Sequence, residues 1–224
     1  MTKSARVYIG AVIAAGAATL AFALTHWRTD DPNRFAIFLL LFLAAATIKC
    51  VVPGVTGTYS PVFFFALLGS TTLSFSEVVT AAAMAAIVQS IYKPKWRPTP
   101  IKLAFNASTL AVTTAVAYAL IQRKTALLAG QPELLGIVLG AAAFYFVNTG
   151  LVATVITLHE KCSLSAIWKN WCVGSLGYYG VGVLILGIAN PAMHVAATIV
   201  VPAVLLATVY FRFRPQAAVQ TAVN

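Results

Sequence analysis

The chain has little charge and very few acids. Only 9% of its 224 residues are charged, and Asp and Glu together number 5. A soluble domain carries about 25% charged residues, so this chain has too little polar surface to cover a water-soluble globule. With 60% hydrophobic residues, the composition predicts an integral membrane protein. No two acids fall in one apolar segment, which leaves no carboxylate pair for acid–base catalysis.

Cysteines and catalytic motifs are scarce as well. The 3 cysteines lack the spacing of a disulfide framework or a zinc site. The sequence contains no G-x-S-x-G, no phosphate-binding glycine loop and no H-E-x-x-H. We therefore expect no enzyme activity, no cofactor and no metal site. The net charge of +10 is expected to reflect cytoplasmic loops on a lipid bilayer, with no nucleic acid as partner.

One basic segment interrupts the long apolar runs. Residues 92–102 read YKPKWRPTPIK and hold 4 basic residues, 3 prolines and no acid. Its prolines cannot continue a helix, because they lack an N–H and restrict the residue before them. Short basic loops between spans stay in the cytoplasm, so this segment fixes the predicted orientation.

The apolar segments predict an all-α, multi-pass transmembrane helical bundle of about 8 spans, with both termini cytoplasmic. The first apolar run is longer than that of a signal peptide and is interpreted as a retained span. Residues 1–214 are predicted to form a single polytopic membrane domain, and residues 215–224 a flexible cytoplasmic tail. The predicted spans are residues 7–26, 35–52, 62–73, 78–92, 103–122, 134–158, 164–188 and 193–211.

The third and fourth segments are shorter than a normal span, which needs about 17–25 residues. They are either two tilted spans or a broken, re-entrant pair, and in the second case the number of spans falls to six or seven. Ser74 and Glu77, which lie between them, fit a capping box that starts the fourth helix.

Five polar residues in or beside the apolar segments are candidate ligand-binding groups, because polar groups are costly in lipid. Lys49, Gln89, Asn106 and, less closely, Asn148 fall in the cytoplasmic half, whereas Glu77 lies near the outer face. Four of them also have a structural interpretation. The asparagines are typical of hydrogen bonds between helices, Lys49 of a side chain that reaches the headgroups, and Glu77 of a helix cap.

Three stretches resemble a known membrane domain: VPGVTGTYSP, KLAFNAST and FYFVNTGLVATVITLHEKCSLSAIW. From about residue 29 to residue 214, the chain resembles the polytopic domain that precedes HD-GYP or GGDEF domains in bacterial cyclic-di-GMP signalling proteins. The resemblance implies a sensory or anchoring input module, with Asn106 and Asn148 as its shared polar positions. Because the chain ends about ten residues beyond the resemblance, we expect a stand-alone relative or an isolated input domain.

Three functions remain open at this stage. The first is a non-catalytic sensory or anchoring module of the inner (plasma) membrane, with a cytoplasmic signalling protein and a small-molecule ligand as partners. The second is a small-solute carrier or the substrate-binding membrane subunit of an uptake transporter. The third is a purely structural membrane protein. The small-residue faces of the segments permit a homodimer in each case.

Overall fold

The computed structural model describes residues 2–48, 50–51, 58–94, 97–122, 132–160, 163–167 and 179–180. Within these ranges the regular secondary structure is helical apart from one pair of two-residue strands, which confirms the predicted helical fold there. The strands β1 (Cys50–Val51) and β2 (Thr58–Tyr59) pair antiparallel. The helices are α1 (Lys3–Thr25), α2 (Pro32–Thr47), α3 (Val62–Thr72), α4 (Phe75–Ile91), α5 (Pro100–Gln122), α6 (Pro132–Glu160) and α7 (Leu164–Ile167).

Three helices are long and apolar enough to cross a membrane, judged by length and composition. They are α1, α5 and the part of α6 from Gly136 to Glu160. The apolar helices α2, α3 and α4 are shorter, with 16, 11 and 17 residues. At a rise of 1.5 Å per residue, α3 is only about 16 Å long, against about 30 Å for a hydrocarbon core. Helix α3 is therefore about half as long as a transmembrane span.

The two short segments on either side of Ser74 form a helical hairpin. Ser60 Oγ donates to the Ala45 carbonyl oxygen at 2.7 Å, so α3 begins beside the end of α2 and runs back toward its start. Leu73 is extended, with ψ 162°, and Ser74 then begins α4, which runs in the opposite direction. The segments are thus two separate helices, the first of them half-length.

The central helix of the described bundle is α5, which contacts α1, α3, α4 and α6. Small buried side chains such as Ala107, Ser108 and Ala111 line it and let its neighbours approach closely. The closest approach is to α1, where a Cβ added to Gly16 would overlap Ser108. Ser108 Oγ also donates to the Ile13 carbonyl oxygen at 3.4 Å. The contact between α1 and α5 therefore depends on glycine at position 16.

The described helices define two ends of the bundle. At the Glu77 end, α1 stops and α4 begins, and Ser76 Oγ donates to the His26 carbonyl oxygen at 2.9 Å. At the basic end, α4 stops and α5 begins. The start of α1 lies there too, beside the end of α6, because Thr2 Oγ1 donates to the Leu158 carbonyl oxygen at 2.9 Å. The basic end carries Lys3, Arg6, Lys93, Arg97 and Lys102.

Several predicted helix boundaries differ from those in the structure, by up to five residues. The second segment ends at Thr47 rather than residue 52, because Ile48 is extended with ψ 117° and the strands β1 and β2 pair just beyond it. The fifth begins at Pro100 rather than residue 103, since proline suits the first helical position. Thr99 Oγ1 accepts there from the Lys102 N–H at 3.3 Å. The sixth is longer than predicted at both ends.

Part of the predicted C-terminal region cannot be compared with the structure. Of the predicted span 164–188, only residues 164–167 and 179–180 are described. The predicted span 193–211 and the predicted tail 215–224 lie outside the described residues.

Candidate functional site

The loop between α1 and α2, residues 26–31, is fastened to the first turn of α4. Ser74 Oγ donates to the Arg28 carbonyl oxygen at 2.6 Å, and Ser76 Oγ donates to that of His26 at 2.9 Å. Thr29 Oγ1 donates to Glu77 Oε1 at 2.5 Å. The partners are 46 to 50 residues apart in sequence, so these hydrogen bonds set the position of the loop through tertiary contact.

Glu77 is the buried centre of this junction, with 1% of its surface exposed. Its Oε2 accepts from the Ser74 N–H at 2.9 Å, and Ser74 Oγ accepts from the Glu77 N–H at 3.3 Å. This reciprocal pair confirms the predicted capping box, and the carboxylate also complements the positive end of the helix dipole. Both carboxylate oxygens are thus used within the protein, and a ligand-binding role for Glu77 stays a prediction.

The two asparagines each bond to another segment. Asn106 Nδ2 on α5 donates to Ser90 Oγ on α4 at 2.9 Å, near the basic end. Asn148 Nδ2 on α6 donates to Tyr179 Oη at 3.1 Å. Both contacts are hydrogen bonds between segments, which is the structural interpretation of these residues.

Tyr179 belongs to an aromatic cluster that joins α3 and α6. Its ring centroid lies 4.4 Å from that of Phe63 and 5.1 Å from that of Tyr145. Phe63 and Phe144 are also in contact, at 5.2 Å. Asn148 therefore supplies one polar contact at the border of a packed aromatic group.

The structure does not bring the five predicted residues together. Glu77 lies in the first turn of α4 and Gln89 near its end, 12 residues further on and thus about 18 Å away along the axis. Gln89 is half-buried, and its amide makes no hydrogen bond among the described residues. Lys49 lies outside the described residues. The described candidates occupy three separate places in the bundle.

A cleft of about 440 Å³ lies at the Glu77 end, bounded by α1, the α1–α2 loop, the α3–α4 turn, α5 and the first turns of α2 and α4. Three basic side chains and one acidic side chain line it: His26, Arg28, Arg34 and Asp30. The sequence predicted no binding role for the two arginines. Their common position depends on how the loop folds against α4, for which the local sequence carries no signal.

Aromatic rings form the apolar part of the cleft. The rings of Phe22 and Phe75 lie 5.7 Å apart edge to face, and those of Phe75 and Tyr118 lie 5.5 Å apart in the same arrangement. The His26 ring stacks on Phe22 at 4.3 Å. These contacts connect α1, α4 and α5, so the floor of the cleft is shared by three helices. Among the residues that the structure describes, no three His, Cys, Asp or Glu side chains are grouped to hold a metal ion.

Comparison with known proteins defines the class of this bundle as a membrane-associated sensor domain. The MASE9 family profile matches residues 19–188, about three quarters of the chain, and the chain therefore belongs to the MASE9 family. The matched region includes the fastened loop, the cleft and all six longer helices in whole or in part. No curated protein and no solved structure matches the chain. The comparisons give no support to the solute-carrier alternative.

Proposed function

We propose that this chain is a non-catalytic sensory and anchoring input module of a bacterial signalling system, located in the inner membrane. Membership of the MASE9 family gives the class. The observation that carries the proposal is the fastened loop beside the cleft. It places a polar cavity on the ends of α1, α4 and α5, the helices whose opposite ends meet at the basic end.

The orientation that we propose puts the basic end in the cytoplasm and the cleft on the outer face. The Glu77 end carries Arg28 and Arg34 together with Asp30, Asp31 and Glu77, whereas cations dominate the basic end. Positively charged residues favour the cytoplasmic side, which supports this assignment. The helices α1 to α6 alternate in direction, and two further predicted spans after α6 would give eight, with both termini cytoplasmic.

In the proposed mechanism, an occupant of the cleft favours one packing of α1, α4 and α5 over another. A ligand shifts such an equilibrium only if it binds the two packings with different affinity. Phe22, Phe75 and Tyr118 come from three different helices. An occupant that contacts all three rings would therefore bind the two packings with different affinity. The change would reach the cytoplasm through α5, whose first turn follows the basic loop.

The proposed output is control of a cytoplasmic cyclic-di-GMP enzyme or regulator. The resemblance to domains that precede HD-GYP or GGDEF domains supports this choice, and Phe211–Arg214, which reads FRFR, places two bases after the last predicted span. We propose no catalysis by the chain itself, because its 5 acids offer no pair for acid–base chemistry.

Gentle purification from the native membrane, with mass spectrometry of everything retained, tests this function. We expect a cyclic-di-GMP enzyme or regulator in the eluate, and a changed cyclic-di-GMP level in cells that lack the gene. Removal of residues 193–224 should abolish the association, whereas the Gly10→Ala variant should retain it. Unchanged association after the truncation, or an unchanged cyclic-di-GMP level in the deletion strain, would overturn the proposal. An ATPase pair or a stoichiometric solute would favour the carrier instead.

A further inference from the structure

We propose that the cleft at the Glu77 end binds an oxyanion, either a phosphate or a carboxylate, attached to an apolar group. This inference rests on the proposed sensory function and names the chemical class of its ligand. The two sources of such a group at a membrane surface are an anionic lipid headgroup and a small amphipathic solute.

The guanidinium groups of Arg28 and Arg34 are free to contact a ligand. Arg28 and Arg34 both line the cleft, and within the part of the chain that the structure describes neither side chain has an ion pair or a hydrogen bond. Guanidinium groups bind carboxylate and phosphate through two parallel N–H donors, which gives strong and directional contacts. Two such unpaired groups, one on the loop and one in the first turn of α2, line the same cleft and are suited to an oxyanion.

The serine and threonine hydroxyl groups at the cleft already donate elsewhere. Thr71 Oγ1 and Thr72 Oγ1 both donate to the Leu68 carbonyl oxygen, at 2.7 and 3.0 Å. The hydroxyl groups of Ser74 and Ser76 donate to the loop, as described above. The N-terminus of α4 is likewise capped by Ser74 and Glu77 and is not the site. The guanidinium groups are thus the main donors left for an occupant.

The cleft has a positioned backbone and a suitable volume. Hydrogen bonds from Ser74 and Ser76 hold the main chain of the loop, so the backbone that carries Arg28 is in position before a ligand arrives. The volume of about 440 Å³ falls within the roughly 300–1,000 Å³ typical of small-molecule sites. The apolar floor of Phe22, Phe75 and Tyr118 would contact the apolar part of the ligand.

Of the carboxylates near the cleft, only one lacks a described partner of its own. Asp30 lines the cleft and opposes the arginines, whereas the Asp31 carboxylate accepts from the N–H groups of Asn33 and Arg34 as the cap of α2. Glu77 is buried and bonded to Thr29 and Ser74. Asp30 is therefore the carboxylate whose removal should strengthen binding of an anion.

The test uses the full chain in a neutral detergent at constant ionic strength, with phenyl phosphate as the soluble probe. We expect a saturable rise in the midpoint of thermal unfolding. The Arg28→Gln/Arg34→Gln double variant should bind about tenfold or more weakly, because it loses charge-assisted hydrogen bonds. The matched control is Arg6→Gln/Arg97→Gln, which removes the same charge from the basic end and should bind as the native chain does. Asp30→Asn should bind more tightly.

A second arm identifies the source of the oxyanion. Micelles doped with phosphatidylglycerol are compared with micelles doped with phosphatidylcholine. Stabilisation by phosphatidylglycerol alone, lost in the Arg28→Gln/Arg34→Gln variant, would assign the cleft to a lipid headgroup. Equal loss in both double variants, or no saturable effect of either probe, would overturn the proposal.

Two provisions keep the binding test decisive. The single variant Arg34→Gln replaces the double variant if the latter does not fold. Because the readout is binding and not cyclic-di-GMP output, a negative result concerns the cleft and leaves the proposed signalling function to its own experiment.

Discussion

The two ends of the bundle differ in how their hydrogen bonds are arranged: they converge on one loop at the Glu77 end and join separate helix pairs at the basic end. At the Glu77 end, side chains of α4 bond to main-chain carbonyl groups of the α1–α2 loop, and the carboxylate at the centre is buried. At the basic end, an amide–hydroxyl pair, Asn106 with Ser90, joins α4 and α5. The described cations are exposed at both ends.

Most of the described cations therefore lie at one end of the bundle, and the converging hydrogen-bond network lies at the other. At the basic end, cations outnumber acids and the hydrogen bonds are spread over separate helix pairs, such as Thr2 with Leu158 and Asn106 with Ser90. This arrangement suits orientation in a membrane and contact with acidic partners. The Glu77 end has fewer cations but a network of defined geometry, which suits a binding site that must keep its shape. Helices α1 and α5 connect the ends through the contact at Gly16.

The largest effect that we expect comes from removal of the buried carboxylate. Glu77→Ala leaves the Ser74 N–H and the Thr29 hydroxyl without their acceptors, and should lower the free energy of unfolding by about 3 kcal/mol. Glu77→Gln keeps one acceptor oxygen and should cost about half as much. Thermal unfolding in detergent measures both. Equal midpoints for Glu77→Ala and the native chain would show that the network does not hold this end together.

A smaller effect is expected at Gly16, where α1 packs closely against α5. Gly16→Ala places a Cβ against Ser108 and forces α1 away from α5, which should cost about 2 kcal/mol. The matched control is Gly10→Ala in the same helix, where an added Cβ has nothing within 4 Å. That change should be neutral or stabilise the helix by up to about 1 kcal/mol. The two substitutions have the same chemistry, so similar midpoints would contradict the close packing.

At the basic end, Asn106→Ala should cost only about 0.5–1 kcal/mol, as is usual for hydrogen bonds between membrane helices. Ser90 Oγ keeps its own bond to the Ala86 carbonyl oxygen at 2.7 Å, so no buried donor is left without a partner. Ser90→Ala should cost a similar amount, and the double variant little more than either single one. Additive losses in unfolding midpoint would mean that the two residues do not act as a pair.

The smallest effect is expected for Gln89, the residue that precedes Ser90. Gln89 is half-buried and makes no hydrogen bond among the described residues, so Gln89→Ala should change the free energy of unfolding by less than about 0.5 kcal/mol. A loss as large as that of Asn106→Ala would show a contact with a part of the chain that the structure does not describe. Unfolding midpoints of the two alanine variants, measured side by side, decide this.

Local signals in the sequence predicted local structure well. The S-x-x-E pattern at Ser74 and Glu77 predicted the start of α4, because a capping box involves only neighbouring residues. The membrane class followed from composition, and the family match agrees with it. The asparagines were interpreted in part as contacts between helices, and the structure shows a partner for each.

The cleft could not be predicted in the same way. Arg28 lies in the α1–α2 loop and Arg34 in the first turn of α2, and the distant hydroxyl groups of α4 hold that loop in position. The early end of α2 was missed for a similar reason, since the residues just after it form β1, which pairs with β2. Tertiary contacts of this kind leave no period or spacing in the local sequence.

The hydrogen bonds from Ser74 and Ser76 end on main-chain oxygen atoms, and this has an evolutionary consequence. A carbonyl group is present whatever residue occupies positions 26 and 28, so the side chains there can be exchanged without disturbing the scaffold. Relatives could therefore diversify what they detect by drifting at these two positions alone. The same property makes the loop a ready place to graft a new ligand preference onto an unchanged framework.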